Sequence, residues 1–327
     1  MQRVGLITVC AAGLVSLSVA TASAQTPTQN WPTKPIKAFI PFSAGSATDI
    51  IPRAVFERVA AELGQPIVIE NRGGAAGTIA VGTVVKAEAD GYTILANSSA
   101  HTVAPSIVDN IPYDTAKDLS AVVTLGKNAN ILVVSPTKGW RTAADLVAAA
   151  KARPGTVNYG SAGVGTATHI SAERFRQSAG FQATHIPYRG GPEVLADIFG
   201  GRIDFYYCPI STALPLIRSG RLLALATSTP QRASALPDVP TSLEAGYANS
   251  DYTVWYGVFM PARTPRAIID KFHTVTMKVI GTPAMQQRLN ELAVDPMPLR
   301  PAELDALVEA EIRANEKLIK TAGIKPN

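Results

Sequence analysis

Cysteine, histidine and charge are all sparse in this chain, and each shortage removes a class of function. Only two of the 327 residues are cysteine and four are histidine. Cys10 lies in the apolar N-terminal segment, so the body of the chain holds Cys208 alone, with no partner for an intramolecular disulfide and no cluster for zinc. His101, His169, His185 and His273 lack the HExxH spacing that sets two imidazoles on one helix face. No metal and no other cofactor is expected. Charged residues make up 17% of the chain, the formal net charge is +5, and Lys and Arg are scattered. A chain without a basic run has no electrostatic footprint for nucleic acid.

Long apolar runs are also missing beyond the N-terminus. Arg3 is followed by an apolar stretch over 4–20, interrupted by Gly5, Thr8, Gly13, Ser16 and Ser18, and then by Thr21-Ala22-Ser23-Ala24. The stretch is less apolar than the ~20-residue spans that cross bilayers. With a small-x-small site behind it, it reads as a signal peptide, residues 1–24, and places the mature protein in the periplasm. What remains has the length of two domains of ~150 residues.

Two segments repeat one design. Pro41-Phe42-Ser43-Ala44-Gly45-Ser46-Ala47-Thr48-Asp49 and Asn158-Tyr159-Gly160-Ser161-Ala162-Gly163-Val164-Gly165-Thr166-Ala167-Thr168-His169 each set a small, hydroxyl-rich loop between an apolar strand and a helix. A helix start leaves N–H groups without intrahelical partners and carries the positive end of the dipole, so such loops hold anions. The first helix is expected over 48–63, stopping at Gly64, with Ser46 and Asp49 as a capping box. Asp49 reads as that cap before it reads as a ligand contact. Pro52 inside the helix removes one hydrogen bond.

Strand, loop, helix and strand then alternate. Strands are expected at 36–41, 66–70 and 92–96, with a helix over 79–89, and the third strand ends in Asn97-Ser98-Ser99-Ala100-His101. The alternation implies a parallel sheet covered on both faces, with ligands beyond the carboxyl ends of its strands, where Ser43 to Ser46 and Ser98, Ser99 and His101 fall. The pattern restarts after 131–136, so a second α/β unit occupies 127–227. The strand 222–227 is the expected crossing back. Helices starting at Pro265, Pro283 and Pro301 close the chain.

The second loop is neither a dinucleotide nor a phosphate loop. Gly163-x-Gly165 lacks the third glycine, which is Thr168, and no Gly-Lys-Ser/Thr occurs. Ser161 is preceded two residues back by Tyr159, so it is not a hydrolase elbow. His169 either faces the cleft or packs locally to hold the loop, and His101 has the same two readings. Phe42 and Trp255 are candidates for the cleft wall, Trp255 equally for the core, and Arg189 is a candidate counter-ion.

Many turn signatures in a fixed order extend this pattern: Pro41-Phe42-x-Ala44-Gly45, Leu63-Gly64-Gln65-Pro66, Glu70-Asn71-Arg72, Asp90-Gly91-Tyr92-Thr93, Asn158-Tyr159-x-Ser161-x-Gly163, Leu236-Pro237-Asp238-Val239-Pro240-Thr241 and Pro261-Ala262-x-Thr264-Pro265. On these residues the mature chain resembles the substrate-binding proteins of tripartite tricarboxylate transporters, the Bordetella-type extracytoplasmic receptors. The resemblance implies an α/β, two-domain fold of the type II periplasmic-binding-protein kind, with a hinge and an interdomain cleft. Domain 1 would comprise 25–126 plus 228–327, and domain 2 would comprise 127–227.

It further implies a monomer without catalytic activity that binds a small organic carboxylate, a di- or tricarboxylate or an aromatic one, and delivers it to membrane permease subunits. Backbone amides and bridging waters of Phe42 to Ser46 and of Ser161, Ala162, Gly163, Gly165 and Thr166 would hold the carboxylate. Thr48, Asp49, Ser98, Ser99, His101 and His169 would stand close by, with Tyr207 and Cys208 facing them. Ser46 replaces a usual glycine. Cys208 replaces an aspartate found in many relatives, which disfavours amino-acid ligands, while Tyr206 and Tyr207 leave an aromatic acid open. The alternatives are a carboxylate sensor for a signalling kinase and an exported enzyme using His169 or His101.

Overall fold

A computed structural model describes residues 30–322. The expected signal peptide lies outside these residues. Among the described residues no helix is long and apolar enough to cross a membrane.

The strands are β1 (Ile36–Ile40), β2 (Ile67–Asn71), β3 (Thr93–Ser98), β4 (Leu119–Val134), β5 (Asn158–Ser161), β6 (Thr184–Pro187), β7 (Phe205–Pro209), β8 (Leu223–Thr227) and β9 (Thr253–Pro261). The helices are α1 (Ala47–Leu63), α2 (Thr78–Val85), α3 (Ala143–Ala152), α4 (Ala167–Ala179), α5 (Gly191–Phe199), α6 (Ile210–Arg218), α7 (Arg266–Ile280), α8 (Pro283–Glu291) and α9 (Pro301–Ala322). The strands run in the order β2-β1-β3-β9-β4-β7-β5-β6, and β8 also pairs with β4.

The sheet is mixed, which corrects the parallel sheet read from the sequence. β1 is parallel to β2 and β3, and β5 to β6 and β7, as the βαβ alternation requires. β9 is antiparallel to β3 and β4, and β4 is antiparallel to β7 and β8. The difference arises in β4. From the sequence only its apolar end, 131–136, reads as a strand. The observed strand begins at Leu119, and its first part pairs with β9 from Leu119↔Pro261 to Ala129↔Thr253. Its last part pairs with β7 and β8. One strand therefore belongs to both halves of the sheet. The return passage bonds to it: Ser228 N donates to Asn130 O at 2.8 Å, and Asn130 N donates to Ser228 Oγ at 3.1 Å.

Period-two alternation distributes the cores. Ile36, Ala38 and Ile40 point toward α1 and α7 and join Ile51, Val55, Phe56 and Phe272, whereas Phe39 points the other way to Val81, Trp255, Phe259 and Leu304. In the other half, Phe205 and Tyr207 join Phe175 and Phe181, and Tyr206 and Cys208 join Ile131, Val194 and Ile198. Each fully buried side chain of this size contributes about 1.5–3 kcal/mol. Helix ends follow local chemistry. Gly64 and Gly180 take left-handed C-cap positions after α1 and α4, and α3 starts with a capping box of Thr142 and Asp145. The capping box expected at α1 does not form: Ser46 makes no side-chain cap bond, and the Asp49 carboxylate accepts from Gly45 N at 2.9 Å instead.

β4 bends by register shifts, one of them beside Gly126, whose φ is +136°. A Cβ there would lie 2.4 Å from Val294 Cγ1 and 2.9 Å from the Asp295 carbonyl oxygen. Gly126→Ala is expected to cost about 1–3 kcal/mol through backbone strain. Urea unfolding measures it, and an unchanged midpoint would contradict the close approach.

Candidate functional site

The first turns of α1 and α4, one from each half of the sheet, converge on a cavity of about 60 Å³. Phe42, Gly45, Ser46, Ala47 and Thr48 line it from the first loop and α1. Ala162, Thr166, Ala167 and Thr168 line it from the second loop and α4. Ser98 enters from the end of β3, Asn130 from β4, Tyr206 and Pro209 from β7, and Val254 and Tyr256 from β9. The starts of α5 and α6 add Gly191, Pro192 and Thr212.

Among the described residues, no Asp, Glu, Lys, Arg or His side chain lies on this wall. An anion held here must therefore be held by peptide N–H groups, hydroxyls and helix dipoles. Each helix start contributes ~0.3–1 kcal/mol when exposed and up to ~2 kcal/mol when partly buried. Phe42, Ala162 and Thr166 also line a wider adjoining groove of about 770 Å³, with Ser43, Gly163, Tyr188 and Arg189.

The ionisable residues stand behind the loops and brace them. Asp49 accepts from Gly45 N, from Arg53 at 2.7 Å and from Asn71 Nδ2 at 2.9 Å, and the same Asn71 amide donates to Phe42 O at 3.0 Å. Burial opposes ionisation of Asp49, but the Arg53 guanidinium and the N–H donors of Gly45 and Asn71 outweigh it and hold the carboxyl below its ordinary value.

In the second loop the hydroxyls are spent internally. Thr166 Oγ1 donates to Gly163 O at 2.8 Å, Ala162 N donates to Thr168 Oγ1 at 2.9 Å, and Ser161 Oγ lies 2.6 Å from His185 Nε2. Gly165 N donates to His169 Nδ1 at 3.0 Å. His169 and His185 stack at 3.9 Å, with Tyr159 stacked on His185. The Tyr159 hydroxyl donates to Glu173, which also pairs with Arg176 at 2.8 Å. Burial works against the Glu173 carboxylate, yet these partners hold it below its ordinary value.

Of the residues singled out from the sequence, the structure brings Phe42, Gly45, Ser46, Thr48, Ser98, Ala162 and Thr166 to the cavity wall, and Ser43 and Gly163 to the adjoining groove. Tyr206 also lies on the cavity wall and Arg189 in the groove, and neither wall includes Ala44, Asp49, Ser99, His101, Ser161, Gly165, His169, Tyr207, Cys208 or Trp255. Ala44 is exposed, and Asp49, Ser161, Gly165 and His169 form the braces just described. Ser99 accepts from the Tyr252 hydroxyl, and His101 packs its ring 4.7 Å from Phe259. Strand alternation turns Tyr207 toward Phe175, and Cys208 sits among Ile131 and Val194, where burial pushes its thiol well above the usual range. Trp255 is in the core, its indole N–H donating to Glu311 at 2.9 Å.

Sequence reasoning missed Asn130, Pro209, Thr212, Val254 and Tyr256. Asn130 and Tyr256 lie in strands whose polar residues look like ordinary interruptions of an apolar run. Their shared place appears only when β4 and β9 pair.

The family described as tripartite tricarboxylate transporter family receptor matches residues 51–324. A UPF0065 protein of Bordetella pertussis is 32% identical over 315 residues, 95% of this chain and 96% of that protein. A solved Rhodopseudomonas palustris structure with adipate superposes with a TM-score of 0.87 at 32% identity, covering 91% of this chain and all of that one. MatC from the same organism, with bound malate, superposes with a TM-score of 0.83 at 27% identity, covering 88% of this chain and all of that one.

The imidazole braces generate a pH dependence. Burial pulls His169 down to about 4 and His185 down to about 3, below an unfolded value of ~6.5. The unfolded chain therefore takes up these protons first, and the stability conferred by the neutral rings is complete above pH ~6.5 and lost as pH falls toward 4. Glu173 and Arg176 face the pair and stay ionised through this window. Urea unfolding at pH 7.5, 5.5 and 4.5 should show the decline, and His169→Asn should shallow it. A flat profile between pH 7.5 and 5 would contradict the assignment.

Proposed function

The chain belongs to the tripartite tricarboxylate transporter receptors, a family of solute-binding proteins rather than enzymes, and from this we propose that it captures one small carboxylate between the two halves of its sheet and passes it unchanged to membrane permease subunits. The observation that carries the reading is the meeting of two helix starts on a cavity wall without Asp, Glu, Lys, Arg or His side chains. Such a wall favours an anion over a sugar or a cation, and it leaves selectivity to shape and to water-bridged contacts. Adipate and malate in the related structures support a di- or tricarboxylate, and Tyr206 and Tyr256 on the wall keep an aromatic acid within the class. Neither His101 nor His169 lines the cavity, which counts against hydrolytic or acid–base chemistry there.

In this reading the halves are domains, 25–126 plus 228–327 and 127–227, joined through β4 and the return at Ser228. They close over the ligand as hinged binding proteins do. The same reading has residues 1–24 as a signal peptide that sends the receptor to the periplasm, where it works as a monomer.

Closure has a contact of its own. Gly165, with φ +71°, lies so near the Ile107 side chain of the first half that a Cβ would fall 1.8 Å from Cδ1. Gly165→Ala is expected to weaken binding about tenfold or more by propping the halves apart, and to enlarge the ligand-bound radius of gyration in X-ray scattering; wild-type affinity in this variant would remove the contact from closure. For the protein itself, a bound acid at 100 times its dissociation constant adds ~2.7 kcal/mol. Thermal melts against di- and tricarboxylates and aromatic acids should reveal that gain. If no acid shifts the melting point while a sugar or nucleotide does, the carboxylate reading is wrong.

A further inference from the structure

Asn130 is fully buried on the cavity wall, and its Oδ1 has no hydrogen-bond partner. The orientation of its amide is dictated by its neighbours. Nδ2 lies 3.2 Å from Ala167 O and 3.0 Å from Ser171 Oγ, and Ser171 already donates its own proton to Ala167 O at 2.8 Å. Both neighbours are therefore acceptors toward Asn130, so nitrogen must face them and the carbonyl oxygen must face away. The backbone is equally constrained, since Asn130 N and O both bond to Ser228. The result is a preorganised acceptor, held where the two halves join.

We propose, resting on the carboxylate reading above, that Asn130 makes the cavity selective for acids bearing a hydroxyl group, which donates to Asn130 Oδ1 while the carboxylate lies at the starts of α1 and α4. An acceptor oxygen repels a carboxylate, so the charged end of the ligand is driven to the helix starts, where Ser46 Oγ, also without a partner, offers a donor. The group that meets Asn130 must then be a donor. A hydroxyl fits and an ammonium does not, because no Asp or Glu lines the cavity to balance a buried cation. A ligand with only hydrogen at that carbon leaves the buried carbonyl unpaired, and a site built to hydrogen-bond a hydroxyl discriminates strongly against its absence.

Two matched series test this on the full chain by calorimetry: succinate, malate and aspartate, and propionate, lactate and alanine. Within each series only one substituent on one carbon changes, from hydrogen to hydroxyl to ammonium. The expected result is that the hydroxy member of at least one series binds about tenfold or more tighter than both of its partners. Equal binding of the deoxy member, or tighter binding of the amino member, overturns the proposal while leaving the carboxylate reading intact. Failure of all six acids, together with failure of the wider acid panel, overturns both.

Asn130→Ala should bring the hydroxy-to-deoxy ratio to about one. Ser171→Ala, which removes one anchor of the amide but leaves Oδ1 in place, should keep the preference. A ratio unchanged in folded Asn130→Ala, or abolished equally in Ser171→Ala, assigns the residue a structural role and overturns the proposal. Where Asn130→Ala does not fold, the wild-type series decides alone.

Discussion

Peptide N–H groups at a helix start can hold an anion only while they stay aimed at it, and in the proposed reading this requirement organises the molecule. Water competes for the same groups at an exposed helix end, so the two starts must be brought together in a cavity that admits few waters. The cost of removing charged side chains from the wall is that each loop needs support from behind. Asp49, Arg53 and Asn71 supply it to the first loop. Ser161, His185 and His169 supply it to the second. Placing ionised groups one layer back spares the cavity an uncompensated charge when it is empty.

The two loops can meet because β4 belongs to both halves of the sheet. A strand that pairs with β9 along its first part and with β7 and β8 along its last transmits position between the halves through backbone hydrogen bonds. Asn130 lies at the changeover, bonded to the return segment through Ser228 and to α4 through its amide. One residue thus ties the crossing strands, the second helix start and the cavity together. The register shifts, one of them beside Gly126, let the strand bend without breaking its pairing.

Much of this was legible in order along the chain. The paired loops, the helix stop at Gly64, the proline-led helices near the C-terminus and the parallel βαβ units follow from local chemistry that neighbouring residues share. Elements governed by distant partners were not. The first part of β4 carries Ser120, Thr124, Gly126, Lys127 and Asn128, which read as loop until β9 pairs with them. α6 holds Pro215 in its body and gives a weak local signal. The Asp49 carboxylate bonds one residue earlier than a capping box predicts, because Arg53 and Asn71 draw it toward the back of the loop.

The same division separates the site residues. Sequence by itself determined that two small, hydroxyl-bearing loops precede helices, that no metal-ligand or nucleotide motif accompanies them, and that the chain carries the turn signatures of a receptor family. These are properties of neighbouring residues and of their spacing. Tertiary structure alone decided which side chains reach the cavity. Alternation in β7 sends Tyr206 to the wall and Tyr207 to the core, burial commits His101 and His169 to packing and bracing, and the pairing of β4 with β9 and β7 brings Asn130 and Tyr256 to the cavity wall. Facing is set by partners far away in the chain, and no local pattern encodes it.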